Sequence, residues 1–291
     1  MRYGYLGPAG TFSEQALREA HPGGAGAEHV PYATIHETIM AAQRGEADAV
    51  LVPIENSVEG AVNVTLDAMA TDAPDLRIAG EHVLAVELAL IAAAEVALDQ
   101  VGVVRSHPHA TAQCAAFLRA ELPGATVVPA SSTAEAVRAV AAGEAALGTR
   151  LAAELYGRVV LRDSVQDEGE HETRFVWLAR DPASVPARDG AGTAAGHTAD
   201  RPPAIKTSVL FAGAGDDTPG WLVRCLSEFA FRGVNLTKIE SRPRRRRLGH
   251  YRFLIDAEGG DSDPAVAEAV AALRHHCEEV RVLGSYPAHR R

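Results

Sequence analysis

Short apolar runs alternate with helix-like patterns over about the first 180 residues of the chain. Each run is brief and bounded by turn residues, and this pattern predicts a strand. The predicted strands are residues 2–6, 49–52, 101–105, 126–128, 145–147 and 173–179. Strands that alternate with helices in this way predict βαβ units and a largely parallel sheet.

Three helix starts carry a capping-box signature, in which a Ser or Thr is followed three residues later by Glu. The pairs are Thr11 with Glu14, Thr34 with Glu37, and Ser132 with Glu135. Each hydroxyl is expected to accept a hydrogen bond from the amide of the Glu, so that the helix begins directly after the Ser or Thr. Because glycine favours the end of a helix, the second of these helices should stop at Gly45 and the third at Gly143.

The apolar run 83–93 differs from the other runs, and we interpret it as a crossover into a second lobe. The chain would then return to the first lobe through residues 159–179. The predicted architecture is α/β, with lobe one at about 1–80 and 158–180 and lobe two at about 81–157. Two such lobes would enclose a cleft.

A linker separates this region from a smaller one. Residues 181–203 are dense in Ala, Gly, Pro, Asp and Thr and have no apolar period, so they cannot bury enough surface to order themselves. Beyond them, strands are predicted at 206–212, 234–241, 250–255 and 280–283, with helices at 220–231 and around 266–273. The order βαββαβ is typical of a ferredoxin-like module. The predicted divisions are therefore 1–180, a linker at 181–204 and the module at 205–284.

Composition and charge narrow the class of protein. A hydrophobic content of 47% predicts a buried core, and the formal net charge of −10 argues against a general nucleic-acid binder. Three widely spaced cysteines without CxxC spacing predict neither a disulfide framework nor a zinc site. There is no apolar signal region at the N-terminus and no apolar stretch long enough to span a bilayer, so we expect a cytoplasmic protein without a membrane partner.

Three polar segments follow predicted strands, where ligands bind in parallel α/β sheets. They are residues 7–13, 53–57 and 106–109. The amide groups exposed at helix N-termini are suited to hold a carboxylate. Ordinary loop and capping roles explain each segment taken singly, but three on one side of a sheet favour a binding cleft.

Other candidate groups carry little specific chemistry by themselves. Thr173, Arg174 and Phe175 open a run typical of a buried strand, and from their chemistry alone the start of a strand is the better interpretation. No histidine pair shows metal spacing with a carboxylate, and no Ser-His-Asp order, phosphate loop or dinucleotide fingerprint is evident. The four arginines at 244–247 are interpreted as a solvated hairpin tip or a contact to a neighbouring subunit.

Taken together, the motifs resemble those of the prephenate dehydratase family, followed by an ACT domain. The matching segments are residues 7–14, 52–57, 106–108 with 113–114, 131–134, 173–175, 220 with 222–223, and 235–243. The resemblance implies a two-lobed catalytic domain of the periplasmic-binding-protein type and an ACT regulatory module. The implied activity is that of a hydro-lyase, which converts prephenate to phenylpyruvate in phenylalanine biosynthesis without cofactor or metal.

The resemblance also implies roles for individual residues. Thr173 would protonate or hydrogen-bond the departing hydroxyl, and Arg174 would position a substrate carboxylate or the loop itself. The implied catalytic set is Asn56, Ser106, Gln113, Thr173 and Arg174. The implied substrate-binding set is Thr11, Ser57, His107, Ser132, Thr133 and Phe175, with Phe175 as an apolar wall.

The ACT module implies allosteric regulation by phenylalanine at a subunit interface, and therefore a homodimer or homotetramer. The implied effector residues are Gly220, Leu222, Val223, Asn235, Leu236, Glu240, Ser241 and Arg242. The chain departs from the family in its acidic loop 167–172, where asparagines are usual, and at Trp221, where alanine is usual. Arogenate dehydratase and a non-catalytic amino-acid-binding protein remain as alternatives.

Overall fold

Three β-sheets form the framework of the chain in a computed structural model that describes residues 1–22, 26–169, 171–186, 204–213, 215, 217–244 and 248–289. The strands are β1 (Arg2–Leu6), β2 (Glu28–Tyr32), β3 (Ala49–Asn56), β4 (Gly60–Ala61), β5 (Arg77–Ala85), β6 (Ala89–Ala92), β7 (Val103–Ser106), β8 (Thr126–Pro129), β9 (Glu144–Gly148), β10 (Val159–Arg162), β11 (Glu172–Ala179), β12 (Ile205–Ala212), β13 (Leu236–Pro243), β14 (Tyr251–Glu258) and β15 (Glu279–Pro287). The helices are α1 (Phe12–Ala20), α2 (Ile35–Arg44), α3 (Asn63–Asp67), α4 (Pro108–Gln113), α5 (Ala115–Glu121), α6 (Thr133–Ala139), α7 (Arg150–Tyr156), α8 (Trp221–Ala230) and α9 (Pro264–Leu273).

The first two sheets form two α/β lobes, as the sequence predicts. The first has the strand order β2-β1-β3-β11-β5 with β4 beside β3, and the second has the order β10-β6-β9-β7-β8. Both sheets are mixed, so the prediction of a largely parallel sheet is wrong. Strand β11 runs antiparallel to β3 and β5, and β6 runs antiparallel to β9 and β10. The chain leaves lobe one on β5 and returns on β11, and it enters lobe two on β6 and leaves on β10. The two strands of each pair therefore run in opposite directions.

The crossover between the lobes falls where the long apolar run predicts it, between β5 and β6. The lobe boundaries differ from the predicted ones, however. Strand β5 keeps the chain in the first sheet to Ala85, past the predicted boundary at 80. Strand β10 pairs with β6, so lobe two extends to Arg162 and does not end at 157.

The predicted helix starts are confirmed by their hydrogen bonds. The hydroxyls of Thr11, Thr34 and Ser132 each accept from the amide three residues on. Helix α2 ends at Gly45 in the left-handed conformation that glycine adopts without strain. Helix α6 ends at Ala139, before the predicted Gly143, because the amide of Ala141 donates to the carboxylate of Glu144 and the chain leaves the helix there.

The third sheet confirms the βαββαβ module, with strand order β13-β14-β12-β15, all antiparallel. Helices α8 and α9 cover one face, where Phe211, Trp221 and Phe229 are buried. The other face packs against lobe one, and Leu283 and Tyr286 of β15 share a core with lobe-one residues. The two parts are in intimate contact, because a β-carbon on Gly284 would overlap the carbonyl oxygen of Ile78 in β5.

Two of the predicted segments lie partly or largely outside the described residues. These are the linker, of which 187–203 are not described, and the arginine run, of which 245–247 are not described. Arg244 itself contacts Glu278, with 3.0 Å between Nη2 and Oε2. In the described part of the chain, no helix has the length and apolar character needed to cross a bilayer.

Candidate active site

A cleft of about 480 Å³ lies between the two lobes. Lobe one contributes the β1–α1 turn, the end of β3 and the start of β11, and lobe two contributes α4 and the start of α6. Eight of the predicted site residues line it, and most of them are polar. They are Thr11, Asn56, His107, Gln113, Ser132, Thr133, Thr173 and Phe175.

Thr173 and Asn56 face each other across β11 and β3, and their side chains form a directional pair. The Oδ1 atom of Asn56 accepts from the amides of Val58 and Glu59, at 2.9 and 3.0 Å. The Nδ2 atom must then point toward Thr173, and it donates to Oγ1 at 2.9 Å. Thr173 accepts in this bond, and no described residue accepts a hydrogen bond from the hydroxyl of Thr173. The hydrogen of that hydroxyl is available to a ligand in the cleft.

The acidic loop before Thr173 holds the lobe-two side of the cleft in place. The carboxylate of Asp167 accepts from the amides of Ala116 and Phe117 at the start of α5, at 2.8 and 3.0 Å. The amide of Asp167 donates to the carbonyl oxygen of Gln113 at 2.7 Å. Asp167 is therefore an exposed residue that caps α5 and fixes the backbone of Gln113.

The lobes are also tied together beside the β1–α1 turn. Thr149 donates to the carbonyl oxygen of Gly10 at 2.7 Å, and Tyr156 donates to that of Ala9 at 2.7 Å. A β-carbon on Gly10 would lie 2.9 Å from the β-carbon of Ala152, so the turn requires glycine both for this approach and for its positive φ of 85°. The hydroxyl of Thr11 donates to the carbonyl oxygen of Leu6 while it caps α1, so Thr11 shapes the turn.

The cleft is lined by polar and apolar side chains together, and no lysine or arginine is among the described residues that line it. Its titratable groups include His107 and His109, whose rings are 4.9 Å apart. Burial and the neighbouring His109 lower the pKa of His107, so its ring is neutral at pH 7. An anion in this cleft would be held by hydroxyls, amides and the first turn of α1.

Three predicted site residues do not line the cleft. Ser106 is fully buried and donates to the carbonyl oxygen of Leu147 at 3.2 Å. Ser57 lies on the far side of the sheet, where its hydroxyl accepts from the amide of Glu172 at 3.0 Å. Both positions support the backbone around the site. Neither hydroxyl lines the cleft in the described structure.

Arg174 has two implied roles, to position a substrate carboxylate or to position the loop itself, and its location favours the second. Neighbouring side chains in a strand point to opposite faces, so Arg174 points away from the cleft that Thr173 lines. Its guanidinium lies between lobe one and the ACT module, with Nη1 2.5 Å from Oδ2 of Asp256 and Nε 2.6 Å from Oε2 of Glu81. It cannot hold a substrate carboxylate from there.

The predicted effector residues fall into two groups. Gly220, Leu222 and Val223 line a cavity of about 240 Å³ on the module, together with Trp221 and Phe253. The other five predicted effector residues lie on β13 or directly before it and do not line this cavity. These five are Asn235, Leu236, Glu240, Ser241 and Arg242. Arg242 pairs with Asp67 of α3, at 2.8 Å for each of its two bonds, so it joins the module to lobe one.

Sequence patterns missed the residues that hold the module to the catalytic region. Glu81, Asp256 and Tyr286 are buried polar groups in strands, and none lies in a segment that matches the family motifs. The available signal was weak: a charged residue inside an apolar strand pattern, as at Glu81 and Asp256, indicates a buried partner.

Known proteins resemble the chain over nearly its whole length. Residues 3–183 match the family model for prephenate dehydratase, and residues 208–275 match that for the ACT domain. A prephenate dehydratase from Amycolatopsis methanolica is 43% identical over 287 residues, which cover 98% of this chain and 88% of that protein. The structure of prephenate dehydratase from Arthrobacter aurescens in complex with L-Phe superposes with a TM-score of 0.84 at 40% identity, covering 99% of this chain and 90% of that one.

A protein called a novel type of quorum-quenching acylase is also similar. It superposes with a TM-score of 0.82 at 30% identity, covering 99% of this chain and 98% of that one. One fold therefore carries more than one named activity. The side chains of the cleft, and not the fold alone, have to support a function.

Proposed function

The chain belongs to the prephenate dehydratase family and carries an ACT domain, and from this premise we propose that the cleft around Thr173 converts prephenate to phenylpyruvate. The observation that carries the proposal is the fixed direction of the Asn56–Thr173 hydrogen bond. Because the Nδ2 atom of Asn56 can only donate, the hydroxyl of Thr173 is oriented to donate to a group in the cleft. A departing hydroxyl is a group that needs such a donor.

The reaction requires the loss of a carboxylate and a hydroxyl from the same ring. The bond from the ring to its carboxylate breaks, and its electron pair enters the ring as carbon dioxide leaves. The carbon–hydroxyl bond breaks at the opposite position, and with one proton the hydroxide becomes water. The ring becomes aromatic, which drives the step. Thr173 supplies an oriented hydrogen bond to the leaving oxygen, since a free threonine hydroxyl is too weak an acid to transfer its proton readily in water.

The substrate carries two carboxylates, which the cleft must hold without lysine or arginine among its described lining residues. The first turn of α1 offers amide groups at Phe12 and Ser13, and Ser132 and Thr133 stand on the opposite lobe. Hydroxyls and amides bind a carboxylate more weakly than guanidinium does, which suits a group that must lose its charge during the reaction. Phe175 gives the ring an apolar wall.

The ACT module is the proposed site for phenylalanine, beside Gly220, Leu222 and Val223. The A. aurescens relative has L-Phe bound. Five apolar side chains on the module are exposed by 40% to 98%: Val223, Phe231, Ile239, Leu248 and Tyr251. They support an interface between copies of the chain, and we therefore infer a homodimer or homotetramer. A cytoplasmic location is proposed because the relatives are biosynthetic enzymes.

A pair of substitutions at Thr173 tests the catalytic role. Thr173→Val keeps the shape and the strand propensity but removes the hydroxyl, so kcat for phenylpyruvate formation should fall by about 10²–10³, as when an oriented donor is lost from an active site. Thr173→Ser keeps the hydroxyl and is the matched control, with much smaller loss. Phenylalanine binding should be unchanged in both. A Val variant with wild-type kcat would contradict the mechanism.

Arogenate, in which an amino group replaces the keto group of the side chain, is the alternative substrate. Turnover of prephenate and arogenate by the same preparation separates the two enzymes, and we expect a higher kcat/KM for prephenate. A protein that binds phenylalanine and turns over neither substrate would be a non-catalytic binding protein.

A further inference from the structure

Thr173 and Arg174 are consecutive residues on opposite faces of β11, one in the cleft and one at the boundary with the ACT module. Thr173 pairs with Asn56 and Arg174 with Glu55, but Phe175 pairs with Pro53. Strand β3 therefore carries a bulge next to the site, and bulges interrupt the regular ladder that otherwise fixes a strand. Beyond the bulge, the tip of β11 is held on that side by a short stretch of pairing and by the amide of Ser57, which donates to the carbonyl oxygen of Glu172 at 2.9 Å.

Four side chains close a ring of hydrogen bonds at this boundary. The Nη1 atom of Arg174 donates to Oδ2 of Asp256 at 2.5 Å, and Nη2 donates to the hydroxyl of Tyr286 at 2.8 Å. The hydroxyl of Ser208 donates to Oδ1 of Asp256 at 2.5 Å. Since that uses the only hydrogen of Ser208, the hydroxyl of Tyr286 must donate to Ser208, at 2.7 Å. Each bond in the ring has one allowed direction.

The ring spans two parts of the molecule. Asp256, Ser208 and Tyr286 belong to three strands of the ACT sheet, and Arg174 alone comes from lobe one. Glu81 of lobe one completes the coordination of the guanidinium at 2.6 Å and also accepts from Lys206 of the module at 2.9 Å. A displacement of the ACT sheet relative to lobe one would break the ring, because its three members move with the sheet.

Burial makes this contact costly to break. The side chains of Arg174, Asp256 and Glu81 are 10%, 6% and 1% exposed. Burial opposes the charge on Arg174, but Tyr286, Asp256 and Glu81 outweigh it and raise its pKa, so the guanidinium stays charged. Buried charges left without partners are costly, so Arg174 follows its partners when they move.

Other ion pairs cross the same boundary, and one of them reaches Arg174 through Glu55, which accepts from Nη1 at 3.4 Å. Arg242 binds Asp67, which lies on α3. Lys238 binds Glu55 at 3.1 Å, but Glu55 is 40% exposed, and ion pairs exposed to that extent contribute little. The ring through Arg174 is a buried polar connection between the module and the strand that carries Thr173, and it lies beside an apolar core that Val176 and Leu178 of β11 share with the module.

From this geometry we propose that Asp256 and Tyr286 of the ACT module are positioning residues for the reaction, which act through Arg174 on Thr173 and carry the effect of phenylalanine to the cleft. The inference rests on the proposed function, because it concerns turnover and its response to the effector. The two residues touch no substrate. They set the position of the hydroxyl that does.

Two conservative substitutions and one control test the inference. Asp256→Asn keeps the shape and removes the charge that holds Nη1, and Tyr286→Phe removes only the hydroxyl. Asp67→Asn is the matched control, since it breaks a boundary ion pair that does not involve β11. Each full-length variant is assayed for kcat and KM with prephenate, with and without saturating phenylalanine, and for phenylalanine binding by calorimetry.

Both test variants should lose kcat with little change in KM, because the substrate contacts remain. In the wild type, phenylalanine should change kcat by about fivefold or more, the lower end of ordinary coupling between sites. In both test variants this effect of phenylalanine on kcat should be lost, while phenylalanine still binds. Asp67→Asn should keep the basal kcat of the wild type. The double variant Arg174→Lys with Asp256→Asn should lose no more kcat than Arg174→Lys alone, because both substitutions act on the same contact.

The outcomes separate this inference from the proposed function. A wild type that forms no phenylpyruvate overturns both. An active wild type whose Asp256→Asn and Tyr286→Phe variants match Asp67→Asn in kcat and in their response to phenylalanine overturns the inference alone. Should Asp256→Asn fail to fold, Tyr286→Phe, which removes a single oxygen atom, decides the question by itself.

Discussion

Gly284 offers a test of how closely the ACT module packs on the catalytic region. A β-carbon added there would overlap the carbonyl oxygen of Ile78 and lie 2.9 Å from its carbonyl carbon and 3.0 Å from its amide nitrogen. All three obstructing atoms are backbone atoms of β5, which is paired with β11 and cannot swing aside as a side chain would. Strand β15 would have to withdraw from β5.

The cost of Gly284→Ala should be at the upper end of overpacking, about 3 kcal/mol in the free energy of unfolding. For a domain of this size, that corresponds to a fall of roughly 6–12 °C in the melting temperature. Withdrawal of β15 also moves Tyr286, so the response of turnover to phenylalanine should weaken.

Thermal unfolding followed by circular dichroism measures the change. Gly260→Ala is the matched control, since its added β-carbon would have no neighbour closer than 3.6 Å, and it should melt within about 2–4 °C of the wild type, equivalent to ~1 kcal/mol. If Gly284→Ala melts together with this control, the close approach of β15 to β5 does not exist in solution.

Two further predictions concern buried polar groups. Burial opposes ionisation of Glu81, but Arg174 and Lys206 outweigh it and hold its pKa below the ordinary 4.5. Its ion pairs therefore stabilise the fold fully above pH 4.5 and are lost as the pH falls below that value, so urea unfolding should show Glu81→Gln less stable than wild type at pH 7, with a gap that narrows in acid. An equal gap at both pH values would contradict the assigned pairs. Trp221 donates through Nε1 to the carbonyl oxygen of His276 at 2.7 Å, and Trp221→Phe should lower the free energy of unfolding by about 0.5–1.5 kcal/mol in the same assay.

The sequence by itself determined the local structure and the order of elements. Capping pairs such as Thr34 with Glu37 located helix starts, because the hydrogen bond involved spans only three residues. The βαββαβ order of the module followed from the alternation of strand and helix periods. The resemblance to a family then singled out Thr173, which its own chemistry would have left as the start of a strand.

Only the tertiary structure decided which way the side chains of that motif point and what they meet. Thr173 and Arg174 are adjacent in sequence, yet the pleat of β11 sends one to the cleft and the other to a ring with Asp256 and Tyr286. Those partners are 82 and 112 residues away along the chain. No local pattern reports such a contact, because burial and pairing of charges depend on how separate sheets pack, and packing is set by long-range contacts that the periodicity of one segment does not encode.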